Sequence, residues 1–97
     1  MKQVFITGAS RGIGAASAVA LGAAGYRVWL HYRTREAAAH EVARSVVAAG
    51  GPEPKLVCFD LAKRQETDRA TRDLLERYGS PDALVLNAGI ARNGLFA

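Results

Sequence analysis

Short, continuous apolar runs alternate along the chain with longer stretches in which apolar residues recur every three or four positions. The runs Val4-Phe5-Ile6, Val28-Trp29-Leu30, Leu56-Val57-Cys58-Phe59 and Ala83-Leu84-Val85-Leu86 are strand-sized and carry many β-branched or aromatic side chains. Runs without polar alternation are the pattern of strands covered by helices on both faces. Three helical patterns lie between them. The first carries Ile13, Ala20, Leu21 and Ala24 at helical spacing and stops at Gly25. The second, from Arg35 to Ala49, presents Ala38, Val42, Val46 and Ala49 and ends in Gly50-Gly51-Pro52. The third, from Arg64 to Tyr78, presents Ala70, Leu74 and Tyr78 and ends at Gly79, after which Ser80-Pro81-Asp82 turns into the last strand. Glycine just past a periodic stretch is a helix stop signal. The pattern therefore predicts strand and helix in strict alternation, four strands and three helices, followed by residues 88–97. Crossovers between parallel strands are almost always right-handed, so the expected arrangement is a doubly wound α/β sheet of strand order 3-2-1-4.

Composition narrows the class of protein. Ninety-seven residues accommodate one small domain, and 49% hydrophobic with 23% charged residues is globular rather than disordered. No apolar run approaches the roughly 20 residues of a membrane span, and the start Met1-Lys2-Gln3 leads into an apolar run too short for a secretion signal. The single cysteine, Cys58, has no partner for an internal disulfide and is read as a small buried hydrophobe, which fits a cytoplasmic protein. A net charge of +4 raises nucleic acid as a partner. The basic residues, however, are interleaved with acids, as in Arg64, Glu66, Asp68, Arg69, Arg72, Asp73, Glu76 and Arg77, the pattern of a solvated helix face, so nucleic acid is not expected.

The chemistry concentrates between the first strand and the first helix, in Thr7-Gly8-Ala9-Ser10-Arg11-Gly12-Ile13-Gly14. A glycine at position 8 permits a sharp turn out of the strand. Gly12 lets a pyrophosphate approach the backbone, and Gly14 lets the helix pack closely. The free amides and positive end of the helix dipole then face the phosphates. The spacing is Gly-x-x-x-Gly-x-Gly with no following Lys-Ser/Thr, which argues against a nucleoside-triphosphate loop. This segment resembles the cofactor fingerprint of the short-chain dehydrogenase/reductase family. Two further motifs fall in register with that family: Asp60-Leu61 at the end of the third strand, and Asn87-Ala88-Gly89 closing the fourth. The resemblance covers essentially the whole chain. It implies a Rossmann-type fold in which Asp60 and Leu61 lie near an adenine ring, and Asn87, Ala88 and Gly89 stabilise the sheet and line the adenine-ribose side of the site. Ligands of open parallel sheets bind outside the carboxyl ends of the strands, the edge on which all three motifs are expected.

Cofactor choice turns on the end of the second strand, where enzymes selecting NAD place a carboxylate against the ribose diol. Here the chain reads Leu30-His31-Tyr32-Arg33, with Tyr32 at the acidic position and Arg33 after it. Arg11 is a second cation expected at the same place, and Ser10 offers a further hydrogen bond. Family members that use NADP(H) resemble this pattern, and arginine forks suit a phosphate. NADP(H) is accordingly the expected cofactor, held by Gly8, Ser10, Arg11, Gly12, Ile13, Gly14, Tyr32, Arg33, Asp60, Leu61, Asn87, Ala88 and Gly89.

No catalytic residue is identified. In the family a tyrosine, a lysine four residues later, a serine and an asparagine carry hydride-transfer chemistry, yet Tyr26, Tyr32 and Tyr78 are followed four positions on by Leu30, Glu36 and Asp82. The resemblance places the catalytic serine, tyrosine and lysine beyond Ala97, the last residue of the chain. His31 and His40 lack metal-site spacing, so no metal is expected. The segments after the second and fourth strands resemble 3-oxoacyl-(acyl-carrier-protein) reductases. That likeness implies a parent enzyme, commonly a tetramer, that reduces a 3-oxoacyl thioester of acyl carrier protein or CoA to the 3-hydroxyacyl product. Two readings result: the 97 residues are the amino-terminal, cofactor-binding part of one Rossmann domain, cut after the fourth strand and inactive alone, or they form a non-catalytic nucleotide-binding or interaction module.

Overall fold

A computed structural model describes residues 1–87 of the chain. The elements run β1 (Gln3–Ile6), α1 (Gly12–Ala23), β2 (Arg27–Tyr32), α2 (Glu36–Ala48), β3 (Lys55–Cys58), α3 (Arg64–Tyr78) and β4 (Ala83–Val85). The four strands form one parallel sheet in the order β3-β2-β1-β4, as the alternating pattern predicts. This is a doubly wound sheet of Rossmann type, and the reversal of strand order falls between β1 and β4.

Alternation along β1 and β2 divides the core between the two faces of the sheet. Val4, Ile6, Val28 and Leu30 point to one face, where they bury against Ala18 of α1 and Ala39 and Val46 of α2. Full burial of each larger aliphatic side chain contributes about 1.5–3 kcal/mol. The opposite face is aromatic. Phe5, Trp29 and His31 lie there, with the Trp29 ring 6.0 Å from Tyr78 of α3 and the Phe5 ring 6.4 Å from Phe59. The Trp29 indole N–H donates to Gln3 Oε1 at 3.0 Å, and the Gln3 amide in turn donates to the Tyr78 carbonyl at 2.8 Å, which ties the end of α3 to β1.

Several expectations need correction. Helix α1 buries Gly14, Ala18 and Gly22, whereas Ile13 is 77% exposed and Ala20 and Ala24 are exposed too. The helix approaches the sheet through its smallest residues, so the buried stripe runs where hydropathy is least conspicuous. Ala49, past the end of α2, is also exposed. Cys58 is not a buried hydrophobe: it ends an edge strand, is exposed, and its thiol donates to the Arg33 carbonyl at 3.3 Å. Phe59 falls just outside β3 yet is 5% exposed, and Leu86 lies past β4. Coverage on both faces fails at β4. Leu84 pairs laterally with Phe5, so it lies on the α3 face at the far edge of the sheet, and it is 56% exposed.

Candidate cofactor-binding site

The carboxyl ends of the four strands converge on a cleft of about 300 Å³. Its walls include Gly8, Ser10 and Arg11 from the loop after β1, Tyr32 and Arg33 from the end of β2, Asp60 and Leu61 after β3, and Asn87 after β4. Eight residues singled out from sequence thus meet in one place. Gly12 and Ile13, exposed at the start of α1, and Gly14, buried beneath the loop, do not line the cleft. Ala88 and Gly89 lie outside the described residues, and so does Ala97, beyond which the catalytic serine, tyrosine and lysine are expected.

The loop after β1 is pinned from three sides. Thr7 N–H donates to the Val85 carbonyl at 3.0 Å, continuing the pairing of β1 with β4, and Ala9 N–H donates to the His31 carbonyl at 2.8 Å, continuing that with β2. Asn87 closes the third side: its side-chain amide donates to the Gly8 carbonyl at 2.8 Å, and its backbone N–H donates to Thr7 Oγ1 at 3.0 Å. Thr7 itself is 3% exposed, so its hydroxyl finds its partner inside the protein. Through these bonds Asn87 fixes backbone and side-chain groups of the turn that follows β1.

Two glycines shape the approach to α1. Gly12 has φ of +62° and nothing within 4 Å of where a Cβ would stand, which leaves the backbone accessible from that side. A Cβ on Gly14 would meet the Gly8 carbonyl oxygen at 2.3 Å. Gly14 thus lets the helix sit on its own preceding turn, a closer and more local contact than the helix–sheet packing expected for it. The start of α1 has no side-chain cap and no acid in its first turn, so its amides and the positive end of its dipole are open to an anion.

The charged wall is mostly basic. Arg11, Arg33 and Arg35 line the cleft, and Asp60 is the carboxylate among them. Arg33 Nε stands 3.6 Å from Asp60 Oδ2, while Asp60 Oδ1 accepts from Ala62 N–H at 2.9 Å and so holds its carboxylate at the turn into α3. The Arg33 side chain is 69% exposed, so this pair contributes little stability and leaves the guanidinium movable. Burial, followed by the neighbouring Cys58 and Glu36, pushes the Tyr32 phenol above its ordinary value of 10.0, and the ring is neutral at physiological pH.

Four cleft residues lie outside the set expected from sequence: His31, Thr34, Arg35 and Ala62. Thr34 and Arg35 enter the cleft from the start of α2, and the run of two arginines around Thr34 was the available signal. His31 lies beneath the site, 3% exposed. Its Nδ1 accepts from Gly8 N–H at 3.0 Å, and its Nε2 lies 2.9 Å from the Phe59 carbonyl. Nothing in the local sequence signals that role, which depends on two strand ends lying side by side. Among the described residues no three His, Cys, Asp or Glu side chains gather as a metal site, and no helix is long and apolar enough to cross a membrane.

A profile of the short chain dehydrogenase family matches residues 2–97. The chain belongs to that family. It is 41% identical over 91 residues to a 3-oxoacyl-(acyl-carrier-protein) reductase of Synechocystis, an alignment covering 94% of this chain and 36% of the relative. It is 39% identical over 96 residues to the corresponding reductase of Aggregatibacter actinomycetemcomitans, covering 98% of this chain and 39% of that one. The chain therefore spans well under half the length of these relatives. Among solved structures, a β-ketoacyl-ACP reductase from Bacteroides thetaiotaomicron superposes with a TM-score of 0.81 at 33% identity, over 91% of this chain and 40% of the other. A dehydrogenase from Burkholderia cenocepacia with bound NADP superposes with a TM-score of 0.77 at 30% identity, over 88% and 33%. The short-chain dehydrogenase membership accounts for the glycine spacing, the strand order and the cleft at the carboxyl edge together.

Proposed function

We propose that these residues form the NADP(H)-binding part of an oxidoreductase that reduces a 3-oxoacyl thioester, of acyl carrier protein or CoA, to the 3-hydroxyacyl product. The observation carrying the cofactor choice is the cleft's charge pattern: Arg11, Arg33 and Arg35 face it, and the end of β2 offers Tyr32 where a carboxylate would hold a free ribose diol. The open flank of Gly12 and the uncapped start of α1 fit a pyrophosphate, and nothing but hydrogen would fit at Gly14. When bound, the nicotinamide supplies the hydride. The residues described here bind and orient: the α1 amides take the pyrophosphate, Arg33 and Arg11 take the 2′-phosphate with Ser10 as a further donor, and Asp60 and Leu61 flank the adenine.

Ala88 and Gly89 complete the adenine-ribose wall in this reading. The substrate proposal rests on the likeness to the Synechocystis and Aggregatibacter reductases. A cytoplasmic location and a tetrameric whole protein belong to the same proposal, with the acid/base serine, tyrosine and lysine supplied from beyond Ala97. Purified alone, the chain is expected to bind NADPH without turning it over against an acetoacetyl thioester.

Fluorescence titration of wild type and Arg33→Ala with NADPH and NADH tests the cofactor assignment. A charge-assisted contact contributes about 1.5–3 kcal/mol, so the variant should lose about ten-fold or more in NADPH affinity and little for NADH. Equal losses for the two dinucleotides refute it.

A further inference from the structure

His31 is held between two walls of the cleft by bonds that only one protonation state can make. The Phe59 carbonyl is purely an acceptor, so the nitrogen 2.9 Å from it, Nε2, carries the ring proton. Nδ1 is then bare and accepts the Gly8 N–H at 3.0 Å. The ring is packed on the aromatic face, 4.4 Å from Phe59 and 6.4 Å from Phe5, and the residue is 3% exposed. One imidazole thus fastens the turn that opens the glycine loop to the strand end that bears Asp60. Since Asn87 holds the Gly8 carbonyl, both backbone polar groups of Gly8 are engaged by side chains.

We propose that His31 is a positioning residue for the cofactor, and that protonation of its imidazole releases the glycine turn and weakens dinucleotide binding. This rests on the cofactor reading above. A proton on Nδ1 would set one donor against another at 3.0 Å and leave the Gly8 amide unpaired in a partly buried place. The loop's geometry passes directly to the phosphate site, because Gly14 stands against the Gly8 carbonyl and any shift of the turn moves the start of α1.

The groups around the ring favour the neutral form. From β1 it meets Phe5 and from the end of β3 it meets Phe59, both uncharged. Asp60 is the nearby acid and is engaged by Arg33, while Arg11 and Arg35 add positive charge along the same cleft. Burial, the largest influence, holds the imidazole below its ordinary 6.5, against smaller opposing effects of the Phe59 carbonyl and Asp60.

Three forms of the chain decide the matter: wild type, His31→Asn and His31→Phe. The Asn oxygen stands at the same remove from Cβ as Nδ1 and accepts the Gly8 N–H without titrating; Phe keeps the ring and loses the acceptor. NADPH affinity is measured from pH 8 to pH 5 and expressed as the ratio of wild type to His31→Asn, which cancels titration of the cofactor's own phosphate. The ratio should fall on acidification, by up to about ten-fold once the ring is fully protonated, and His31→Phe should bind about ten-fold more weakly than wild type at pH 8. Parallel profiles for wild type and His31→Asn, or full affinity of His31→Phe, overturn the proposal.

A second measurement needs no cofactor. Long-range ¹H–¹⁵N NMR of the wild-type imidazole should show the Nε2–H tautomer near neutral pH, with the Gly8 amide resonance moving as the ring titrates. The opposite tautomer, or an indifferent Gly8 amide, overturns the clamp. A chain that binds no dinucleotide at pH 8 refutes the cofactor reading instead, and the imidazole and Gly8 resonances still decide the clamp.

Discussion

Gly14→Ala sets helix propensity against close packing, and the geometry says which wins. Alanine is favoured over glycine in a helix by up to about 1 kcal/mol, and near a helix end by less. Against this, the added Cβ would lie 2.3 Å from the Gly8 carbonyl oxygen, when ordinary contact begins near 3.4 Å, and 2.8 Å from Asn87 Nδ2. Relief requires a displacement of about 1 Å in backbone rather than in a flexible side chain, and overpacking of that kind costs roughly 1–3 kcal/mol. The displaced turn also strains the 2.8 Å bond from Asn87 to Gly8 and the 3.0 Å bond from Gly8 to His31, each contributing about 1 kcal/mol. A net loss of about 2–3 kcal/mol follows, which in a domain of this size lowers Tm by roughly 10–20 °C. Gly12→Ala is the comparison. Its Cβ meets nothing within 4 Å, so its cost is the positive φ of +62° alone, about 1–2 kcal/mol. Thermal unfolding of the three chains by circular dichroism, with NADPH titration alongside, reads both effects. A Gly14→Ala chain melting at or above wild type would refute the reasoning, because propensity would then have outweighed contact.

Thr7→Val keeps the shape of a buried side chain and removes the acceptor for Asn87 N–H; a loss of about 1 kcal/mol, seen as a Tm lower by about 4–8 °C, is expected, and an unchanged melt would show that the hydroxyl is dispensable. Because the folded His31 imidazole titrates below its ordinary 6.5, the unfolded chain takes up the proton first. Stability is therefore full above pH 6.5 and declines as the pH falls below it toward the folded value. Urea midpoints at pH 7.5 and 5.5 should differ in that direction for wild type and much less for His31→Phe. Cys58, exposed at the end of β3, should react stoichiometrically with an aromatic disulfide reagent without denaturant; a thiol that reacts only on unfolding would contradict its placement.

The elements that sequence reveals best are those whose burial shows in the residue type. Val4, Ile6, Val28 and Leu30 lie in short apolar runs and form the buried centre of the sheet. Strand order followed from alternation and handedness, since few arrangements of four parallel strands satisfy both. What escaped the reading depended on small residues or on distant neighbours. Helix α1 buries glycines and an alanine and exposes Ile13, so a search for large apolar residues selects the wrong side. Cys58 reads as core in an apolar run, but a strand at the edge of the sheet has a neighbour on one side only. At the site, Gly8, Ser10, Arg11, Tyr32, Arg33, Asp60, Leu61 and Asn87 were recognisable from motif and position and do meet in the cleft. His31 was not, because its two partners lie 23 and 28 residues away and appear only when three segments are brought together.

The contacts of Asn87 impose an order of events on folding. The residues that hold the glycine turn are 79 and 80 positions apart in the chain, and closing so long a loop costs entropy before any contact offsets it. Pairing of β1 with β2 closes a much shorter segment and can form first. On the ribosome, the cradle stays open until the residues of β4 have left the exit tunnel. Dinucleotide binding would thus report the last step of assembly rather than its beginning, and cofactor added during refolding should slow unfolding more than it speeds folding.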